Sequence, residues 1–287
     1  MKSVLITGCT PGGIGHVLAK EYHARGLQVF ATARKKEVLS DLTALGIETL
    51  QLDVSQTDSV KAARDAVASI TGGTLNILVN NAGLGKPPGC SVPATDLDLD
   101  DVKTVYEANV FGPMRMVQEF APLLIASSEG RIVNIGSMAG IMPVPFGSAY
   151  NSSKAALHAY SNTLRLEMAP FNVQVTTVVT GGVNTSIYEK ERPMKASSIY
   201  SPIADVVAGG RISLEAMITA ETYAKHLVSK TLKRSVAAWM WEGSGAWICW
   251  TIDKLFGRTA FDWMFSWSMG LYKLKSIVVA DKKKKAD

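Results

Sequence analysis

The chain is poor in several features that would settle its class quickly, and each shortage excludes something. Three cysteines, Cys9, Cys90 and Cys249, are odd in number and far apart in 287 residues. That excludes a disulfide framework and points to a reducing compartment. The four histidines, His16, His23, His158 and His226, have no metal-ligand spacing to the cysteines. They read as structural or exposed, and no metal site is expected. No uncharged run approaches the roughly 18 apolar residues of a spanning helix. The chain enters Ser3-Val4-Leu5-Ile6 without a charged leader, so no signal peptide is expected. Dense basic runs with interleaved aromatics are missing, and no nucleic-acid face is expected. The net charge of +5 rests largely on Lys282 to Lys285, a solvated tail that can also touch an anionic membrane surface.

What is present is alternation. Val4-Leu5-Ile6, Val29 to Ala33, Glu48 to Leu52, Asn76 to Val79, Arg131 to Ile135 and Val173 to Val179 read as six short buried strands. Between them Val17 to His23, Ser59 to Ile70, Val102 to Ile125 and the stretch from Ala149 to Leu166 carry helical spacing. The pattern predicts a Rossmann-type α/β fold, a doubly wound parallel sheet with helices on both faces. Ligands then sit outside the carboxyl ends of the strands. Residues 1–235 form the dinucleotide-binding and catalytic domain in this reading, with 184–213 as a lid over the substrate. Residues 236–287 form an aromatic-rich helical extension with a basic tail.

Three stretches carry chemistry on their own residues. Gly8, Gly13 and Gly15, with Ile14 opening a helix, let backbone approach a pyrophosphate, whose charge a helix N-terminus favours. The second strand ends at Ala33-Arg34-Lys35-Lys36, with no acid for the two ribose hydroxyls of NAD. A guanidinium at Arg34 can grip a 2′-phosphate bidentately. NADP(H) is therefore the expected cofactor, the alternative being a solvated basic turn. Tyr150-Asn151-Ser152-Ser153-Lys154 puts a phenol and an ammonium four apart, on one helix face. The lysine charge favours the phenolate below its ordinary pKa of about 10, which makes the pair a candidate proton donor and acceptor. On spacing alone, a plain surface helix shows the same pair.

Thr7-Gly8 with Gly13-Ile14-Gly15, then Asn80-Asn81-Ala82-Gly83, Ser137 and Tyr150-x-x-x-Lys154, in this order, resemble the short-chain dehydrogenase/reductase family. The resemblance implies that Tyr150 is the acid/base and that Lys154 lowers its pKa and bonds the nicotinamide ribose. It implies that Ser137 holds the substrate oxygen and that Asn109 keeps a water in the proton relay. It further implies that Asp53 contacts the adenine, that Asn81 lies on the adenosine side, and that the backbone at Val183 and Thr185 meets the carboxamide. A nucleophilic role for Ser137 is excluded by the lack of an elbow pattern or a histidine–carboxylate partner. Non-catalytic relatives usually lose one of Asn109, Ser137, Tyr150 and Lys154; all four are present, which weighs against a nucleotide-sensing or membrane scaffold.

Two departures from the family pattern stand out. Four residues separate Gly8 from Gly13 instead of three, and Thr180-Gly181-Gly182-Val183 replaces the usual Pro-Gly. With the aromatic C-terminus, these resemble a fungal branch that includes NADPH-dependent 1-acyldihydroxyacetone phosphate reductases and tailoring reductases of secondary metabolism. That branch implies a small lipophilic carbonyl substrate. Lys190, Arg192 and Lys195 are candidates for a substrate phosphate, against the plainer reading of a charged lid surface. All six tryptophans fall within 29 residues, Trp239 to Trp267. For 239–275 a pocket roof or core, a membrane or lipid-droplet surface, and a homo-oligomer contact all stay open. The expected location is the cytoplasm, with the cytosolic face of the endoplasmic reticulum or lipid droplets as its finer form.

Overall fold

The computed structural model describes residues 1–85, 92–185, 194–209 and 217–285. Cys90, Lys190 and Arg192 lie outside the described residues. The elements run β1 (Ser3–Ile6), α1 (Ile14–Ala24), β2 (Gln28–Ala33), α2 (Ser40–Ala44), β3 (Glu48–Gln51), α3 (Thr57–Thr71) and β4 (Ile77–Asn80). They continue with α4 (Leu99–Tyr106), α5 (Gly112–Ala126), β5 (Arg131–Ile135), α6 (Ser148–Met168), β6 (Gln174–Thr180), β7 (Val183–Asn184), α7 (Ala204–Gly209), β8 (Ile218–Thr219) and α8 (Ala220–Thr231). The last are β9 (Trp239–Glu242), α9 (Ala246–Phe256), α10 (Asp262–Ser268) and α11 (Leu271–Lys284).

Seven strands form one parallel sheet in the order β3-β2-β1-β4-β5-β6-β9. Because side chains alternate across a strand, each strand supplies both layers. Val4, Ile6, Val29, Ala31, Ile77, Val79 and Val133 pack with Leu18 and Tyr22 of α1 and with Tyr223 and Leu227 of α8. Leu5, Phe30, Leu78 and Ile132 pack on the other face with Val60, Val67, Phe120, Leu124 and Leu164. Side chains buried as fully as Phe120 contribute about 1.5–3 kcal/mol each. Tyr22 and Thr231 share a 2.7 Å hydrogen bond that ties α1 to α8. The winding reverses between β1 and β4, and there the carboxyl ends of adjacent strands open a crevice.

The fold differs from the sequence reading in two places. Trp239–Glu242, grouped by composition with the aromatic extension, is the seventh strand of the sheet, paired with β6 from Thr177↔Trp239 to Thr180↔Glu242. Met240 and Glu242 point inward, and Glu242 is paired with Lys230. The helical part of the extension starts only at Ala246. The long helix expected over 102–125 is two helices joined by a π-helical turn, Glu107–Phe111, which carries Asn109. Such turns recur at functional sites because they re-aim a side chain. Among the described residues, no helix is long and apolar enough to cross a membrane.

Candidate active site

The catalytic candidates converge at the ends of β4 and β5. Lys154, on α6, is buried, and its Nζ donates to Ile135 O at 2.8 Å. Its ammonium stands 5.7 Å from the centre of the Tyr150 ring. Burial pushes that ammonium down to about 8, because a charge removed from water is disfavoured. The π-turn aims Asn109 into the same space. Its Nδ2 donates to Leu84 O and to Ser153 Oγ, both at 3.0 Å, and its Oδ1 accepts from Leu84 N at 2.8 Å. Ser153 in turn donates to Tyr150 O at 2.8 Å. The asparagine thus braces the loop after β4 against the helix that carries Tyr150. A Cβ on Gly83 would lie 3.0 Å from Asn109 Oδ1 and 3.7 Å from Lys154 Nζ, so that glycine leaves room between the two.

Ser137 follows β5 directly and caps the short turn after it, accepting from Ala139 N at 3.1 Å. Its own N–H donates to Nε2 of His158 at 3.3 Å. Reading the sequence left His158 among the structural or exposed histidines; the structure places it, buried, directly behind Ser137. A Cβ on Gly136 would overlap its ring, and one on Gly140 would come within 2.8 Å of Cε1. Glycine at both positions is what lets an imidazole lie against the backbone of this loop. The ring edge meets Trp239 of β9 at 5.6 Å. Burial, then the Lys154 and Arg258 charges, hold the imidazole down at about 4. Neutral, it accepts the Ser137 N–H. A lone histidine has no spacing partner, and no sequence signal marks this role.

The crevice side is built on backbone. Gly8 takes φ +73°, and a Cβ there would come within 2.8 Å of Ala82 Cα, so only glycine lets β1 pass this close to the loop after β4. The extra residue of the turn closes with Gly13 N donating to Thr10 O at 3.2 Å. Helix α1 then begins at Ile14 and Gly15 with no side-chain cap, which leaves amide groups at the helix N-terminus for an anion. Asn81 serves this turn from outside. Its Nδ2 donates to Thr7 O at 2.8 Å and to Gly8 O at 3.0 Å, while Thr7 Oγ1 accepts from Asn81 N and Ala82 N. Its side chain therefore acts on a ligand through the glycine turn.

Arg34 is exposed at the end of β2, and among the described residues it makes no ion pair. Asp53, after β3, has Oδ1 accepting from Ser55 N at 2.9 Å and Ser55 Oγ at 2.7 Å. After β6, Gly181 N donates to Glu242 O at 2.7 Å, and Gly182 and Ser244 exchange backbone hydrogen bonds. A Cβ on Gly181 would overlap Ser244 O, which explains Gly-Gly at this point: the ends of strands β6 and β9 clasp there. The clasp feeds Val183 into β7, and Thr185 Oγ1 reaches back to Val183 O at 3.4 Å. Lys195 is exposed. The uncapped helix start, the glycine turn and the exposed cation after β2 fit a dinucleotide with an additional phosphate, which backbone at Gly13 to Gly15 and the Arg34 guanidinium would hold.

A profile of the short chain dehydrogenase family matches residues 2–196. The chain is 44% identical over 287 residues to the short-chain dehydrogenase virD of Hypocrea virens, covering 99% of this chain and 98% of that one. It is 46% identical over 229 residues to a Schizosaccharomyces pombe protein named NADPH-dependent 1-acyldihydroxyacetone phosphate reductase, covering 78% of this chain and 76% of that one. The crystal structure of a short-chain dehydrogenase from Streptomyces avermitilis superposes with a TM-score of 0.76 at 25% identity, over 94% of this chain and 98% of that one. A parallel sheet wound in this order, with a lysine buried beneath a tyrosine at its carboxyl edge, agrees with what those matches say: the chain belongs to the short-chain dehydrogenase family of oxidoreductases.

Proposed function

We propose that the protein is an NADPH-dependent reductase that converts a ketone on a lipophilic substrate to a secondary alcohol. One observation carries the proposal: the buried Lys154 ammonium, fixed on Ile135 O at 2.8 Å, stands against the Tyr150 ring in reach of the strand-end crevice. A reduced nicotinamide bound in that crevice would supply the hydride equivalent for the carbonyl carbon. The carbonyl oxygen then gains negative charge, and the Ser137 hydroxyl and Tyr150 phenol are the donors that stabilise it. Tyr150 transfers its proton to that oxygen, and the positive charge of Lys154 stabilises the phenolate left behind. Asn109, through Ser153, fixes the turn of α6 from which Tyr150 projects.

His158 is a positioning residue in this scheme, because its hydrogen bond goes to the Ser137 backbone N–H and not to the Ser137 hydroxyl. His158→Phe keeps a planar ring but removes the acceptor, and kcat is expected to fall roughly tenfold, the scale of an unpaired buried N–H. His158→Gln, which can offer an oxygen near the same place, is expected to recover most of that loss. Steady-state kinetics with a melting curve for each variant checks this; a Phe variant with unchanged kcat would leave the histidine a packing role only.

For the cofactor, Arg34 and the named activity of the S. pombe relative support NADPH. Arg34→Ala is expected to raise KM for NADPH by roughly ten- to a hundredfold, the size of charged hydrogen bonds to a phosphate, and to leave NADH unaffected. Equal changes for both cofactors would remove Arg34 from this role. For the substrate, an acyl-dihydroxyacetone phosphate-like ketone is the first reading. A ketone of a fungal secondary-metabolite pathway is the second, left open because the match to the reductase covers 78% of this chain and not all of it. NADPH oxidation across a panel of lipid ketones, with and without a phosphate, separates them. No turnover with any member would sink the reductase reading itself.

A further inference from the structure

We propose that α9, α10 and α11 form a docking face for a phospholipid surface with anionic headgroups, set beside the substrate side of the site; this builds on the lipophilic-ketone reading above. The helices bury little of their apolar surface. Trp263 is 68% exposed, Trp267 75%, Phe256 70% and Leu255 67%, and Trp247 and Ile248 are exposed as well. Trp247 and Trp250 meet edge to face at 5.7 Å, a pre-formed aromatic pair. Among the described residues of this region, Ala246, Cys249, Phe261 and Gly270 are buried and hold it to the body. An exposed apolar face this rich in tryptophan marks an interaction site, and tryptophan is the residue that favours the headgroup level of a bilayer.

Charge selects the partner. Residues 246–285 hold eight of the chain's thirty basic residues and three of its twenty-five acidic ones, so they account for the whole formal excess of +5. Lys254, Arg258, Lys273, Lys275 and the Lys282–Lys285 run stand among the exposed aromatics and at their end. Apolar rings for the acyl boundary, with cations for the headgroups, are the composition of an interfacial helix. Since no helix here is long enough to cross a bilayer among the described residues, these helices lie on the surface.

The face is also attached to the site. Gly245, at the start of α9, sits against Met138, the residue after Ser137. Gly270 faces Val206, and Lys273 Nζ lies 3.4 Å from Asp205, so α11 rests on the segment over residues 201–206. Tyr200 in that region packs edge-on against Phe146 at 5.4 Å, and Phe146 holds a left-handed φ of 62° just ahead of the helix that carries Tyr150. The docking face is therefore joined by direct contacts to the residues that flank Ser137 and Tyr150.

The test is flotation of the full chain with phosphatidylcholine vesicles, with and without phosphatidylserine. The protein is expected to float with the serine-containing vesicles, to be released by added salt, and to show a blue-shifted tryptophan emission. The variant carrying Trp247→Ala, Trp263→Ala and Trp267→Ala is expected to bind at least about tenfold more weakly while keeping its kcat on a water-soluble ketone. Tyr150→Phe is expected to float like the parent while losing turnover, so lipid docking and reductase chemistry fail separately. Protein that stays at the bottom with both vesicles, a triple variant that floats unchanged, or tryptophans shielded by a second copy of the chain in light scattering would each overturn the proposal.

Discussion

Tyr150→Phe should lower turnover of the ketone by about 10²–10⁴-fold, the usual contribution of a positioned general acid. The substitution removes one oxygen and leaves the ring. Its place beside the Lys154 ammonium, 5.7 Å from the ring centre, and the Ser153 hydrogen bond to the residue 150 carbonyl both survive. Loss of rate therefore reports lost proton transfer and not a collapsed helix. NADPH binding, read by quenching of protein fluorescence, should be unchanged, because the turn at Gly8 to Gly15 and Arg34 are untouched. Single-turnover kinetics at saturating cofactor is the decisive measurement. A variant that kept the parental rate would remove Tyr150 from the chemistry.

The second large effect is at Lys154. With its ammonium pushed down to about 8, the free protein loses this charge well below the ordinary lysine value of 10.5. The kcat/KM for reduction should then fall as pH rises through about 8, since the phenolate left by proton transfer loses its stabilising cation. Stability moves the opposite way on account of this group. Between about 8 and 10.5 the unfolded chain holds a proton that the folded chain has released, so unfolding becomes harder as pH rises. An alkaline loss of activity without a matching loss in melting temperature over that window would separate chemistry from unfolding. Lys154→Met should reduce kcat/KM by on the order of 10²-fold or more and abolish the limb near 8. Melting temperature should hold or rise, because a desolvated buried charge has gone. An intact limb in the methionine variant would assign it to another group.

Much of this was legible in the residues. Six strands announced themselves as short apolar runs, and Tyr150 with Lys154 as a helical pair. The reason is physical: period and spacing are local, and local patterns survive in a linear text. What stayed hidden depended on pairing across the fold. Trp239–Glu242 is a strand because Thr177 to Thr180 lie beside it, while its two tryptophans matched the helices that follow. Asn81 stood in a family motif, yet its amide is committed to Thr7 and Gly8, which only the approach of β1 to β4 makes possible. His158 needed the bare backbone of Gly136 and Gly140 to come within reach of Ser137. The π-turn at Asn109 depends on a single residue's offset inside what reads as one continuous helix.

The seventh strand has a consequence for how the molecule is made. Strand β6 is complete once Thr180 has been added, but the partner for its outer edge arrives only with Trp239. During synthesis a row of unpaired amides and carbonyls on β6 waits until residues 181–238 have been added, an open template for another chain in the same state. A cut anywhere before residue 239 makes that condition permanent. Shortened versions of the protein that keep 239–245, and with them the Gly181–Gly182 clasp, should stay in solution; versions that end sooner should aggregate, whatever happens to the tryptophans beyond.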